Sequence, residues 1–343
     1  MLSVTGCRKD PNIPDPVVPQ DSVDTHPCKK FPPEPPLEWN YIHTGDQYTW
    51  PTFNPNKENE FIYIREVDGS FIPELVKYNL DDGTETILLN SAYISSPPQW
   101  SETGWITFHV YTGVNQVWKI RDDGSEFTQL TFGVKDLYPH FDATGTRINY
   151  FRGTNYSNHE LEENPDLYLE AKMMFIDLDG NVVDSILIEN IISQTKGGQF
   201  YYQNWTVADF EEDVTYFIGG TENFYGCYKS SYEYLELEEI HTWDLDQAPH
   251  QQVSCLEYYN NYLYYTKRKN SLHKLNLTTG MEESIREGCD TKNYNCLSIS
   301  PSGDKMLVEK VLSTVLDEGT IDVQHEIWII DLMNDSEVKI LGD

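Results

Sequence analysis

The stretch PTFNPNKENEFIYI (51–64) reads as a short strand anchored by Phe53, a polar turn, and a second strand of strongly apolar character. The same unit returns as PQWSETGWITFHV (98–110), PHFDATGTRINYF (139–151) and LSISPSGDKMLVE (297–309), with Trp100, Phe141 and Ile299 at the anchor position. Two degenerate copies lie between them, QNWTVADFEEDVTYFI (203–218) and SCLEYYNNYLYYTK (254–267). Each copy is followed by a second pair of alternating runs around a turn: ELVKYNLDDGTETILL (74–89), QVWKIRDDGSEFTQLT (116–131), KMMFIDLDGNVVDSIL (172–187), EIHTWDLDQAPHQQV (239–253), SLHKLNLTTGMEESI (271–285) and EIWIIDLMNDSEVKIL (326–341). Asp-Gly between alternating runs is a strong hairpin signal, because both central residues of the favoured turn need φ > 0. No 3.6-residue apolar period competes over a long window.

The expectation is therefore an all-β chain of six copies of two hairpins. Four-stranded antiparallel sheets repeated at this spacing are the blades of a β-propeller, here a six-bladed one over residues 48–343. The start of the repeat (Pro, Phe or Trp, then Ser-x-x-Gly) and its finish (Ile-Trp-x-Ile-Asp-Leu) resemble the TolB-like propeller repeat. That resemblance implies a six-bladed ring. LEWNYIHTG (37–45) supplies a candidate latch strand or edge cover.

With strands lettered a to d from the axis outward, alternation puts the a–b and c–d turns on one face and the b–c and d–a connections on the other. The turns are short. The connections at 66–73, 153–171, 188–202, 219–237 and 310–324 are long. Long loops on a rigid scaffold commonly carry function. The candidate partner-binding face thus holds Tyr156, His159, Tyr168, Tyr201, Tyr202, Phe224, Tyr225, Tyr228 and Tyr232. Tyrosine suits peptide or sugar contacts, being rigid and amphipathic. The competing role for these rings is packing beneath their own loops.

The formal net charge is −32, from 24 basic and 56 acidic residues. Such a surface repels phosphate backbones and argues against nucleic-acid binding. There is no G-x-S-x-G elbow, no H-E-x-x-H and no Gly-rich phosphate loop, so the expectation is no catalytic residue, no cofactor and no metal site. The DDG and DLDG turns lack the twelve-residue calcium register. Cys289 and Cys296 flank a short connection and form a candidate disulfide; Cys227 with Cys255 is a weaker pairing. Free thiols at Cys255 and Cys296 are the alternative, and Cys28 is left over.

Half of the 18 prolines fall within residues 1–36, which reads as an extended tether (8–47). It follows VTGC (4–7), which resembles a bacterial lipobox, with Cys7 as the lipidated residue and residues 1–7 as a signal remnant. Only six residues precede Cys7, whereas a signal needs an apolar run of about 7–15 residues, so the expected start lies upstream. RKD (8–10) resembles an export pattern for surface lipoproteins, and DSV (21–23) an O-glycosylation motif. The resemblance implies an outer-membrane lipid anchor, exposed at the cell surface or facing the periplasm.

The functional expectation is a non-enzymatic binding or scaffold module that presents the loop-rich face to a protein, peptide or glycan, as part of an outer-membrane complex. The alternative is a carbohydrate-active enzyme, a glycoside hydrolase or lyase, that uses acidic residues near the central channel.

Overall fold

The second strand of five of the repeats is buried without interruption: Phe61–Ile64, Trp105–Val110, Ile148–Phe151, Leu263–Thr266 and Met306–Lys310 show no exposed face. Alternation fails there because neighbouring sheets cover both sides, and a doubly covered strand reads as a continuous apolar run. The computed structural model describes residues 40–133, 135–142, 144–153, 172–187, 205–208, 214–221, 224–231, 237–244, 253–267, 271–289, 291–317 and 319–342.

Strand β1 (Asn40–Ile42) comes first. The first four-stranded sheet is β2 (Gln47–Asn54), β3 (Lys57–Glu66), β4 (Glu74–Asn79) and β5 (Glu85–Leu89). The second is β6 (Gln99–Trp100), β7 (Trp105–Tyr111), β8 (Asn115–Arg121) and β9 (Thr128–Gln129). The third is β10 (Asp136–Phe141), β11 (Arg147–Arg152), β12 (Lys172–Asp177) and β13 (Val182–Leu187). The fourth is β14 (Trp205–Ala208), β15 (Val214–Thr221), β16 (Phe224–Ser231) and β17 (Leu237–Asp244). The fifth is β18 (Val253–Tyr259), β19 (Tyr262–Lys267), β20 (Ser271–Asn276) and β21 (Glu282–Arg286). Within each, consecutive strands pair antiparallel.

The remaining strands, β22 (Lys292–Ile299), β23 (Lys305–Asp317), β24 (Thr320–Asp331) and β25 (Ser336–Leu341), form a different sheet with β1. The innermost strands touch in succession from β2 through β6, β10, β14, β18 and β22 back to β2, which closes a propeller around an axis. The expectation of six equal four-stranded blades is corrected by this topology. Five blades are four-stranded and antiparallel; the sheet that closes the ring has five strands, one of them parallel.

The parallel strand is β1. It pairs with Thr320–Asp322 of β24, while β25 pairs with Ile327–Asp331. Both occupy the edge of β24 that faces away from β23, so this long strand leaves little unpaired edge. β1 thus carries the N-terminal end into the closing sheet. Backbone amides that donate to side chains tie the two ends further: the Phe53 amide donates to Ser298 Oγ (3.1 Å), the Trp50 amide to Glu309 Oε2 (3.0 Å) and the His325 amide to Gln47 Oε1 (2.9 Å).

Apolar clusters fill the seams between neighbouring sheets. Ile62, Ile64 and Leu75 meet Trp100, Ile106 and Phe108 across one seam, and Tyr264 and Leu272 meet Tyr294, Val308 and Trp328 across another. Burying each such side chain contributes roughly 1.5–3 kcal/mol. The Asp-Gly turns are hairpin turns, as expected. Gly180 (φ 83°) sits where a Cβ would meet the Leu130 carbonyl oxygen at 2.6 Å, so its absence of a side chain lets the turn pack on the preceding sheet. The Asp177 carboxylate of that turn accepts the Asp179 and Asn181 amides, which holds the loop.

Two segments expected to be loops are strands. Residues 310–324 extend the β23–β24 hairpin, and residues 219–237 are largely the ends of β15, all of β16 and the start of β17. β-branched residues, as Val311, Thr314 and Val315 in VLSTVL (311–316), favour pairing over a loop.

Candidate functional site

A repeated irregularity in the inner strands shapes the axis. The pairing register shifts between Thr49 and Thr52 in β2, Leu137 and His140 in β10, Ser254 and Glu257 in β18, and Tyr294 and Leu297 in β22. Trp50 (φ 54°), Tyr138 (φ 52°) and Cys255 (φ 49°) take left-handed backbone at these bulges. A bulge inserts one unpaired residue and re-aims the side chains that follow. The residue just before each apolar anchor then lines the axis: Thr52, Gln99, His140, Glu257 and Ser298.

These residues bound a cavity of about 520 Å³ whose mouth lies among the a–b turns, at Pro55, Glu102, Asp142, Asn260 and Pro301. Phe53, Trp100, Phe141 and Tyr259 supply aromatic wall. A narrower part of about 90 Å³ continues inward between Trp50, Ser96, Tyr138, Cys255 and Cys296. The mouth is therefore on the short-turn face, opposite the face the sequence nominates for partner binding.

The described wall contains no Lys or Arg. Its three carboxylates differ in availability. Asp142 is consumed by its own turn, accepting the Thr146 and Arg147 amides (both 3.0 Å) and the Thr144 hydroxyl (2.9 Å). Glu102 is exposed at the mouth. Glu257 stands on β18, where burial pushes its pKa up to about 8, so it is a neutral acid at pH 7. Burial moves His140 the opposite way, to about 4, which leaves a neutral imidazole. The wall thus offers a hydrogen-bond donor at Glu257 and a neutral imidazole that donates through one nitrogen and accepts through the other. His109 is also held neutral by burial, at about 4, and its Nδ1 accepts the Tyr138 amide at 3.3 Å, a structural role.

The residues nominated from sequence fare differently. Cys7, Tyr156, His159, Tyr168, Tyr201, Tyr202 and Tyr232 lie outside the described residues. Phe224 and Tyr225 belong to β16, a strand and not a loop, and their side chains are outside the described set. Tyr228 is 1% exposed and is unavailable to a partner; it faces inward because β16 is sandwiched in its blade. The expected Cys289–Cys296 disulfide is not formed. Cys289 is disulfide-bonded, but Cys296, Cys255 and Cys227 are free thiols. Cys296 is held within β22 beside Cys255 of β18, which directs its sulfur away from Cys289.

Sequence reasoning missed a different set on the same loop-rich face. Phe71 (93% exposed) and Ile72 lie in the β3–β4 connection, Tyr93 in β5–β6, Tyr111 at the end of β7 and Phe132 (79% exposed) in β9–β10. Tyr93 and Tyr111 meet edge-on, with ring centroids 6.4 Å apart. Val315 and Leu316, at the tip of the β23–β24 hairpin, are exposed on this face too. The signal was present: these are the large apolar residues of the b–c and d–a connections in the first two blades.

No family model matches the chain. An uncharacterized protein of Agrobacterium fabrum is 27% identical over 140 residues, which is 40% of this chain and 45% of that protein. Among solved structures, an acylaminoacyl peptidase in complex with a chloromethyl ketone superposes with a TM-score of 0.55 at 12% identity, covering 89% of this chain and 54% of that one. The chain thus spans about half the length of that peptidase. The β-propeller domain of the Trilobed protease from Pyrococcus furiosus, described as having an open velcro topology, superposes at 0.52 with 10% identity, covering 87% and 98%. TolB from Acinetobacter baumannii superposes with a TM-score of 0.38 at 11% identity, covering 87% of this chain and 55% of that one. What these likenesses establish is the fold: the chain is a β-propeller, distantly similar to the propellers of peptidases.

Proposed function

We propose that this propeller is a non-enzymatic binding module that docks a protein through its loop-rich face. The observation that carries the reading is the exposure of Phe71, Ile72, Tyr93, Tyr111 and Phe132 on that one face. Exposed aromatic side chains clustered on a rigid scaffold are the usual anchors of a protein interface. The net charge of −32 selects a partner that sets an apolar contact within a basic surround. A lipid anchor at Cys7 with the Pro-rich tether would hold the module off an outer membrane; the sequence of residues 4–36 supports this part.

The test compares capture from native membranes by the wild-type chain, by a Phe71→Ser/Tyr93→Ser/Phe132→Ser variant, and by a Met281→Ser/Met333→Ser control on the opposite face. A partner retained by wild type and control, weakened about tenfold or more by the rim variant, and released by salt supports the reading. Equal retention by all three chains refutes it.

The cavity supports a second reading, carbohydrate cleavage with Glu257 as a general acid. A carboxyl kept protonated at neutral pH is the feature such chemistry requires. Turnover of a polysaccharide by the wild-type chain that Glu257→Gln abolishes would favour it over docking.

A further inference from the structure

Cys255 and Cys296 occupy the bulges of two adjacent inner strands, β18 and β22, 41 residues apart in sequence and in different sheets. Their Sγ atoms lie 2.7 Å apart, inside van der Waals contact of two sulfur atoms and close to the roughly 2.05 Å of an S–S bond. The left-handed backbone of Cys255 (φ 49°) is what turns its sulfur toward the neighbouring strand. Both residues line the narrow part of the axial cavity, so small molecules reach them through the channel mouth. Cys255 is the more accessible, Cys296 being 7% exposed.

We propose that Cys255 and Cys296 are a redox site that closes to a disulfide with a small hydroperoxide as oxidant and thereby staples the fifth blade to the closing sheet. The Cys255 thiolate attacks one peroxide oxygen, the O–O bond breaks, and hydroxide leaves to give Cys255 sulfenic acid. The Cys296 sulfur then attacks Sγ of Cys255, the S–O bond breaks, and water departs with the thiol proton. In sum two thiols and one hydrogen peroxide give one disulfide and two waters. The bond joins two strands of different sheets, beside Glu257 in the channel wall.

The experiment treats the full chain with a small excess of hydrogen peroxide, denatures it, alkylates without reduction, and maps the peptides by mass. The expected result is a linked pair containing Cys255 and Cys296, two hydrogens lighter than the separate peptides. The Cys227→Ser variant should keep the link, and in Cys255→Ser residue 296 should be alkylated or overoxidised. Complete alkylation of both thiols in the wild-type chain overturns the proposal, as does a link from either to Cys227. The Cys296→Ala variant repeats the test from the other side should Cys255→Ser fail to fold.

Discussion

Glu257 and His140 illustrate how one position of the repeat takes opposite electrostatic consequences. Both precede an inner-strand anchor, and both are stripped of water by the same channel. Glu257, with its pKa raised from 4.5 to about 8, binds more protons folded than unfolded between those values, so it lowers stability as pH rises through that window. His140, lowered from 6.5 to about 4, binds fewer protons folded, so it adds stability as pH rises from about 4 to 6.5. Glu257→Gln should therefore match the wild type near pH 4 and exceed it at pH 8 by on the order of 4 kcal/mol in urea unfolding. An unchanged difference across pH 4–8 would show that the carboxyl is solvated. The position itself was legible, since the anchors Phe53, Trp100, Phe141 and Ile299 were found from sequence. What hid it was the bulge: strict alternation assigns no special direction to the residue before the anchor, and the bulge supplies one.

At the scale of elements, the hairpins were read correctly wherever an Asp-Gly turn separated alternating runs, because that turn demands φ > 0 and fixes the register locally. Two hairpins were misread as loops. The β23–β24 extension looked like an insertion, yet its β-branched residues pair along its length and recruit β1 as a parallel neighbour. The Asp322 carboxylate fastens that neighbour, accepting the Thr44 amide (3.2 Å) and hydroxyl (2.8 Å). Asp322→Ala should cost about 1.5–3 kcal/mol and speed amide exchange along residues 320–323 while leaving β7 protected. Slow exchange there would mean that β1 pairs without this clamp. The same hairpin buries Lys310 against Glu337 (2.7 Å) and over the Trp328 ring (3.7 Å to the centroid). Lys310→Ala removes one of the two cations on Glu337, leaving Arg286, and should lower stability by about 1.5–3 kcal/mol. Lys310→Met, which keeps the packing, should leave less of a deficit in Glu337→Gln than in the wild-type background.

Over the whole molecule the two ends of the propeller are chemically distinct. The short-turn face opens into a polar channel, and the loop-rich face carries exposed aromatic side chains under a strongly negative overall charge. The ring and the sidedness of its connections followed from repetition in the sequence. The extra strand was foreseen as a latch within 37–45, but its partner was not, because β1 pairs with β24 at a distance of about 280 residues and no local pattern reports such a partner. The central claim is that a partner occupies the loop-rich face. Hydrogen–deuterium exchange of the isolated complex, compared with the free chain, tests it most directly. The account predicts protection concentrated at residues 67–73, 90–96, 112–114 and 130–133, with the a–b turns at 55–56, 102–104, 260–261 and 301–304 unchanged. Protection confined to those turns and to the channel-lining strands would place the partner at the opposite end and contradict it.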